Sequence, residues 1–320
     1  MDRSFDARGT LGVSSARPDL GQEEIVAYVA VHARSHTQAF EQVALGVANV
    51  ISRIPLWDLM SRASRVHNGV FDFDGTLTPG SQWRVMGTLL PEDLRHADME
   101  SSRWYHSHIH GQGVNGVTLE NPDWWINHLE TGNQLAVEGA WVAATVGMFT
   151  KAGITHTQIE EAVRTLSPRQ GVAQLMSLMR HKAVVSFGIE QFIQAWLRHI
   201  DLTVPVAASR LIFDKEGRVV NLHINIVGAG SKEFAAARFR QLTETTEDGL
   251  IVVGDSVVDV HMMSADSFNV LIVPPSELDR KMKDFRDNNL GAMWDRITMI
   301  LADDSFEPLV TLLQEARQTS

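Results

Sequence analysis

The chain has 320 residues, 44% of them hydrophobic and 21% charged, an ordinary composition for a soluble globular protein with one generous core. Its formal net charge of −11 argues against a nucleic-acid polymer as partner, because such binders carry a basic face. The absence of cysteine excludes disulfides, thiolate metal sites and cysteine nucleophiles, and no apolar run approaches the roughly 18 residues of a membrane span.

Residues 1–21 are rich in Asp, Arg, Ser and Gly and lack the apolar run of a secretory signal. They read as a disordered tail, and a cytoplasmic protein is expected. Over residues 22–65, Ile25, Val29, Phe40, Val43, Val47, Val50 and Ile51 recur at mixed three- and four-residue spacings. That predicts an N-terminal helical extension packed on the core, divided by Pro55. Gly69 to Phe73 is the first strong strand, and it runs into Asp72-Phe73-Asp74-Gly75-Thr76.

Residues 79–170 carry mostly helical signals and read as a helical cap inserted after that strand. Asn121-Pro122 predicts a helix start running through Trp124 and Trp125, and Thr155 or Thr157 caps another. Strands and helices then alternate. Ala183 to Ser186, Arg210 to Asp214, Arg218 to Asn225, Leu250 to Val253 and Phe268 to Val273 read as strands, the second and third as a hairpin. Gly171 to Arg180, Glu190 to His199 and Lys232 to Leu242 read as helices, and the segment from Ser276 onward as helices packing on the core. This alternation predicts an α/β fold with a doubly wound, Rossmann-like parallel sheet. Residues 66–78 and 171–320 would form the core.

In such a sheet, ligands collect beyond the carboxyl ends of the strands. Asp72 and Asp74, Ser186, Lys232, and Asp255 with Asp259 all fall at such ends or just after them. Two carboxylates this close favour a shared proton or a bound cation. One can attack a phosphoryl group while the other carries a proton. A hydroxyl and an ammonium suit the non-bridging oxygens, and oxygen ligands from two strand ends suit Mg²⁺.

Asp72-x-Asp74-x-Thr76, then Ser186, Lys232 and Gly254-Asp255-Ser256-x-x-Asp259, resembles the four-motif pattern of the haloacid dehalogenase-like phosphatases over residues 69–275. The resemblance implies Asp72 as nucleophile, Asp74 as general acid/base, and Ser186 and Lys232 as phosphoryl ligands. It also implies Mg²⁺ held by Asp72, the Asp74 carbonyl and Asp255, with Asp259 positioning Lys232 or the waters of the metal. An Asp at position 74 favours phosphomonoester chemistry over the dehalogenases and transport ATPases of that superfamily.

The layout further resembles the eukaryotic-type pyrimidine 5′-nucleotidases, with phosphoserine phosphatases sharing it, and so implies hydrolysis of a nucleoside 5′-monophosphate. The alternatives are another small metabolite, such as a phospho-amino acid or sugar phosphate, transfer to an alcohol, or a non-catalytic binding protein on this fold. The chain departs from the nucleotidases at Val258, where they have Gly, and at Phe187, where they have Ala. Glu100 and Glu120 are the candidates for a base-binding carboxylate. Thr76, Gly188, Trp104, Tyr105, Trp124 and Trp125 are the candidate substrate contacts, Thr76 also serving its own turn. His106-x-His108-x-His110 invites a metal reading, but lining the pocket or plain packing in the cap suits these side chains better.

Overall fold

The computed structural model describes residues 27–29, 41–45, 48–109, 134–226, 229–287 and 291–319. Its strands are β1 (Ala27–Val29), β2 (Glu41–Leu45), β3 (Ala48–Ser52), β4 (Asn68–Phe71), β5 (His181–Ile189), β6 (Val206–Phe213), β7 (Val219–His223), β8 (Leu250–Gly254), β9 (Phe268–Ile272) and β10 (Met299–Leu301). They form one sheet in the order β1-β2-β3-β10-β9-β8-β4-β5-β6-β7. The run from β10 to β6 is parallel, whereas β1, β2 and β3 join one side and β7 the other in antiparallel fashion. The α/β core is therefore a mixed sheet, and its parallel centre carries the site.

The central strands are apolar on both faces, as a sheet covered on two sides requires. Phe71, Val184, Ile251, Val253, Val270 and Met299 pack in one cluster with α1 (Leu56–Arg65), α6 (Val172–Ser177), α7 (Glu190–His199) and α10 (Glu307–Gln318). Val70, Val185, Val252, Leu271 and Ile300 pack in a second cluster with α8 (Ala229–Thr243) and α9 (Leu278–Asp287). Neighbouring residues of one strand thus feed opposite layers, following the period of two.

Between β4 and β5 lie α2 (Gln82–Gly87), α3 (Glu92–Ile109), α4 (Gln134–Ala152) and α5 (His156–Ala162), followed by α6. Thr155 caps α5 in a capping box with Gln158. The link from α4 to α5 is fastened to the hairpin of β6 and β7: His156 N–H donates to Gly217 O at 2.8 Å, and Val219 N–H to Ile154 O at 2.8 Å.

The expected helical extension over 22–65 is corrected. Its described residues before Ser52 form strands, and only Leu56–Arg65 is helix. Val50 and Ile51 are buried because β3 pairs with β10, a partner almost 250 residues away that local spacing cannot reveal. Pro55 starts the helix as its N-cap rather than dividing one. The stretch from Ser276 onward also contains a strand, β10, beside helices. The expected tail at 1–21 and the helix start at Asn121 lie outside the described residues.

Candidate active site

Strand register brings the site together. Phe71, the last residue of β4, lies opposite Val184 of β5 and Val253 of β8; β8 ends one residue later, and β5 runs on to Ile189. Asp72 leaves the sheet there, donating its N–H to Val253 O at 2.9 Å. Phe73 turns to the other side and packs edge-on against Trp196 of α7, 5.0 Å between ring centres. That contact anchors the residue between the two carboxylates.

The turn after Asp74 is tight. The N–H groups of Thr76 and Leu77 both donate to Phe73 O, at 3.2 and 3.0 Å. Gly75 has φ of +76°, and a Cβ there would stand 2.5 Å from Asp255 Oδ2. Glycine is needed both for the backbone and for the approach of the second acidic motif. Buried Arg169 holds the turn from behind, donating to Thr76 O at 3.0 Å and to Gly75 O at 2.8 Å.

Lys232, in the first turn of α8, reaches down from the opposite layer. Its Nζ donates to Asp72 Oδ1 and to Asp259 Oδ1, both at 2.6 Å, and all three side chains are buried. Thr76 Oγ1 donates to the other Asp72 oxygen at 3.1 Å. Asp259 Oδ2 accepts from the N–H groups of Asp255 and Ser256 and from Ser256 Oγ. Asp255 pairs with Lys281 of α9: Nζ donates to Oδ2 at 2.8 Å and to the Asp255 backbone O at 2.9 Å. Ser186, buried in the second half of β5, accepts from Gly188 N–H at 3.0 Å.

The charges are mutually adjusted. Burial would drive Lys232 towards neutrality, but Asp259 and Asp72 outweigh it and raise its pKa, so the ammonium is permanent. Burial also opposes the ionised Asp259, yet Lys232 and Ser256 keep its carboxyl below the usual range. Asp72 is pushed upward by burial and by the Asp259 charge, against the pull of Lys232. Burial lifts Asp74 to about 6, while two hydrogen bonds from Gln82 work to lower it. A carboxyl group in that range exchanges protons readily near neutral pH.

Asp72, Asp255 and Asp259 each offer an oxygen within 4.8 Å of the others. An all-carboxylate donor set suits a hard divalent cation such as Mg²⁺.

The candidate residues Asp72, Asp74, Thr76, Ser186, Gly188, Lys232, Asp255 and Asp259 thus gather on the carboxyl-end side of the central strands β4, β5 and β8. Tyr105 stacks on Trp141 at 4.5 Å in an aromatic group with Trp83 and Phe187, the residue between Ser186 and Gly188. Trp124, Trp125, His110 and Glu120 lie outside the described residues, as do the side chains of Trp104, His106 and His108. Glu100 meets His96 at 3.3 Å. Sequence reasoning missed Gln82, Arg169 and Lys281. None belongs to a motif, and only folding brings each to the site.

This α/β fold is similar to that of solved nucleotidase and phosphatase structures. Among solved structures, the chain is similar to a cytosolic 5′-nucleotidase IIIB bound to cytidine, with 17% identity, coverage of 82% of this chain and 90% of that one, and a TM-score of 0.52. It is also similar to a probable phosphoserine phosphatase from Vibrio cholerae, with 13% identity, coverage of 80% and 68%, and a TM-score of 0.52. No protein-family model matches the chain, and no curated protein matches it at a significant level.

Proposed function

We propose that this protein is a Mg²⁺-dependent phosphomonoester hydrolase working through an aspartyl-phosphate. The observation that carries the reading is Lys232, its ammonium bridging Asp72 and Asp259 at 2.6 Å beside Asp74 and Asp255. An Asp72 oxygen attacks phosphorus as the ester P–O bond breaks, and Asp74 gives its proton to the departing alkoxide. Water then attacks the same phosphorus, loses a proton to Asp74 and releases phosphate, which restores both carboxyl groups. Lys232 and Ser186 hold the non-bridging oxygens, Gly188 sets the backbone beside Ser186, and Asp259 keeps Lys232 in place. Mg²⁺, held by Asp72, the Asp74 carbonyl and Asp255, would supply countercharge to the phosphoryl group and to the clustered carboxylates.

The preferred substrate is a nucleoside 5′-monophosphate, in a cytoplasmic setting. Similarity in fold to the cytidine-bound nucleotidase supports this choice, as does the aromatic wall of Trp141 and Phe187, the latter next to Ser186 in the chain. One observation favours a smaller phosphomonoester instead: Tyr105 and Trp141 already stack on each other, leaving no slot for a base between them. Steady-state rates against nucleotides, phosphoserine and sugar phosphates, with Mg²⁺ varied, test both readings. One strong hit on a small metabolite with a flat nucleotide response would remove the nucleotide preference. Asp72→Asn is expected to lose several orders of magnitude in turnover with its fold intact. Near-wild-type phosphatase activity in that variant would sink the mechanism.

A further inference from the structure

Gln82 has no place in any motif, yet it is fully buried and all its polar groups point at the site. Its backbone N–H donates to Asp74 Oδ1 at 2.6 Å, and its Nε2 donates to Asp74 Oδ2 at 2.8 Å. Its Oε1 accepts from Ile189 N–H at 2.8 Å. The amide can point only one way, because a flip would turn oxygen towards the carboxylate and NH₂ towards an N–H. A single residue therefore grips both oxygens of Asp74 and ties them to the strand end that carries Ser186. It also opens α2, the first helix of the insert.

We infer that Gln82 is the positioning residue for Asp74, fixing the direction in which that carboxyl group meets the leaving oxygen. The inference rests on the proposed role of Asp74 as general acid. Proton transfer requires the acid within hydrogen-bond reach of the leaving oxygen, and a half-buried carboxyl without lateral restraint would swing through several rotamers. Two donors from one buried residue remove that freedom.

Gly188 supplies an approach from the other side. A Cβ at that position would fall 1.7 Å from Gln82 Nε2, so Gly188→Ala must displace the amide without adding an atom against Asp74. Gln82→Leu keeps the bulk and removes the side-chain donor and acceptor. Both variants should fail in the same manner.

The test compares two esters under saturating Mg²⁺. Glycerol phosphate has a poor alkoxide leaving group that needs protonation, whereas p-nitrophenyl phosphate has a good one that does not. For Gln82→Leu, kcat/KM on glycerol phosphate, which reports only the steps through departure of the alcohol and not the common hydrolysis of the phospho-enzyme, is expected to fall on the order of 100-fold, the lower end of what general acid catalysis supplies. The fall on p-nitrophenyl phosphate should be at least about tenfold smaller, again because only the poor leaving group depends on the acid. Gly188→Ala should shift the ratio of the two rates in the same direction, which keeps the test open if Gln82→Leu folds poorly. Equal losses on both esters, or no loss on glycerol phosphate, would overturn the inference and leave the phosphatase reading standing. A wild-type protein that hydrolyses neither ester with Mg²⁺ would overturn the phosphatase reading, and the inference with it.

Discussion

Four acidic side chains, Asp72, Asp74, Asp255 and Asp259, share the end of the sheet with the ammonium groups of Lys232 and Lys281. Repulsion among the carboxylates is offset by these cations, and each cation reaches in from a different helix. Lys281 is the readier of the two to test, since its bond to Asp255 is separate from the Lys232 bridge. Lys281→Met removes the ammonium paired with half-buried Asp255, and breaking such a pair costs more than deleting both partners. In EDTA the variant is expected to unfold at a lower temperature, by on the order of 5 °C. Mg²⁺ should raise its Tm by more than it raises that of the wild type, because added cation replaces the missing charge. A smaller Mg²⁺ shift in the variant would contradict this account. At this scale the motif residues are legible in the sequence, because Asp and Lys beside apolar strands and glycine stand out. Gln82, Arg169 and Lys281 are not, since an amide or a cation on an ordinary helix or loop carries no mark of what it will meet.

Among elements, the helices of the insert are held to one another by polar contacts as well as packing. Asp98 of α3 accepts from Thr145 of α4 at 3.4 Å, a long bond for a carboxylate that burial has pushed up to about 6. A carboxyl whose folded pKa lies above its ordinary value of 3.8 favours the folded state most at low pH. That contribution is lost as pH rises through about 6, where the folded group must ionise. Asp98→Asn is therefore expected to raise Tm at pH 8 and to change it little at pH 4, measured by thermal unfolding at both values. An equal effect at both would exclude titration of Asp98 as the cause. The helices α5 and α7 are legible from capping and apolar period, as Thr155 and the apolar face of Glu190–His199 show. β2 and β3 are misread because Val43, Leu45, Val50 and Ile51 fit a helix or a strand about equally.

For the whole molecule, the last strand matters more than its length suggests. β10 has three residues, yet it lies between β3 and β9 and joins the antiparallel flank to the parallel centre. The helix after it, α10, packs Leu309, Leu312 and Leu313 into the larger cluster. A chain ending after Arg296 would expose an open sheet edge and the core surface that α10 covers together. It is expected to be insoluble or to unfold without cooperativity, as soluble yield and thermal melting would show. A soluble, cooperatively melting truncation would mean that the core closes without β10.

The Asp72-Phe73-Asp74 run, the later Ser186, Lys232 and Asp255 signals and the alternation of strands with helices are local properties. They depend on residue type and spacing along a few turns or pleats, so the sequence by itself determined the α/β core and singled out the residues proposed to carry its chemistry. The mixed sheet, the seat of β10 beside β3, the grip of Gln82 on Asp74 and the pairing of Lys281 with Asp255 were decided only by the tertiary structure. Each joins segments whose partner is chosen by packing and by burial of charge, and neither leaves a period or a motif in the chain.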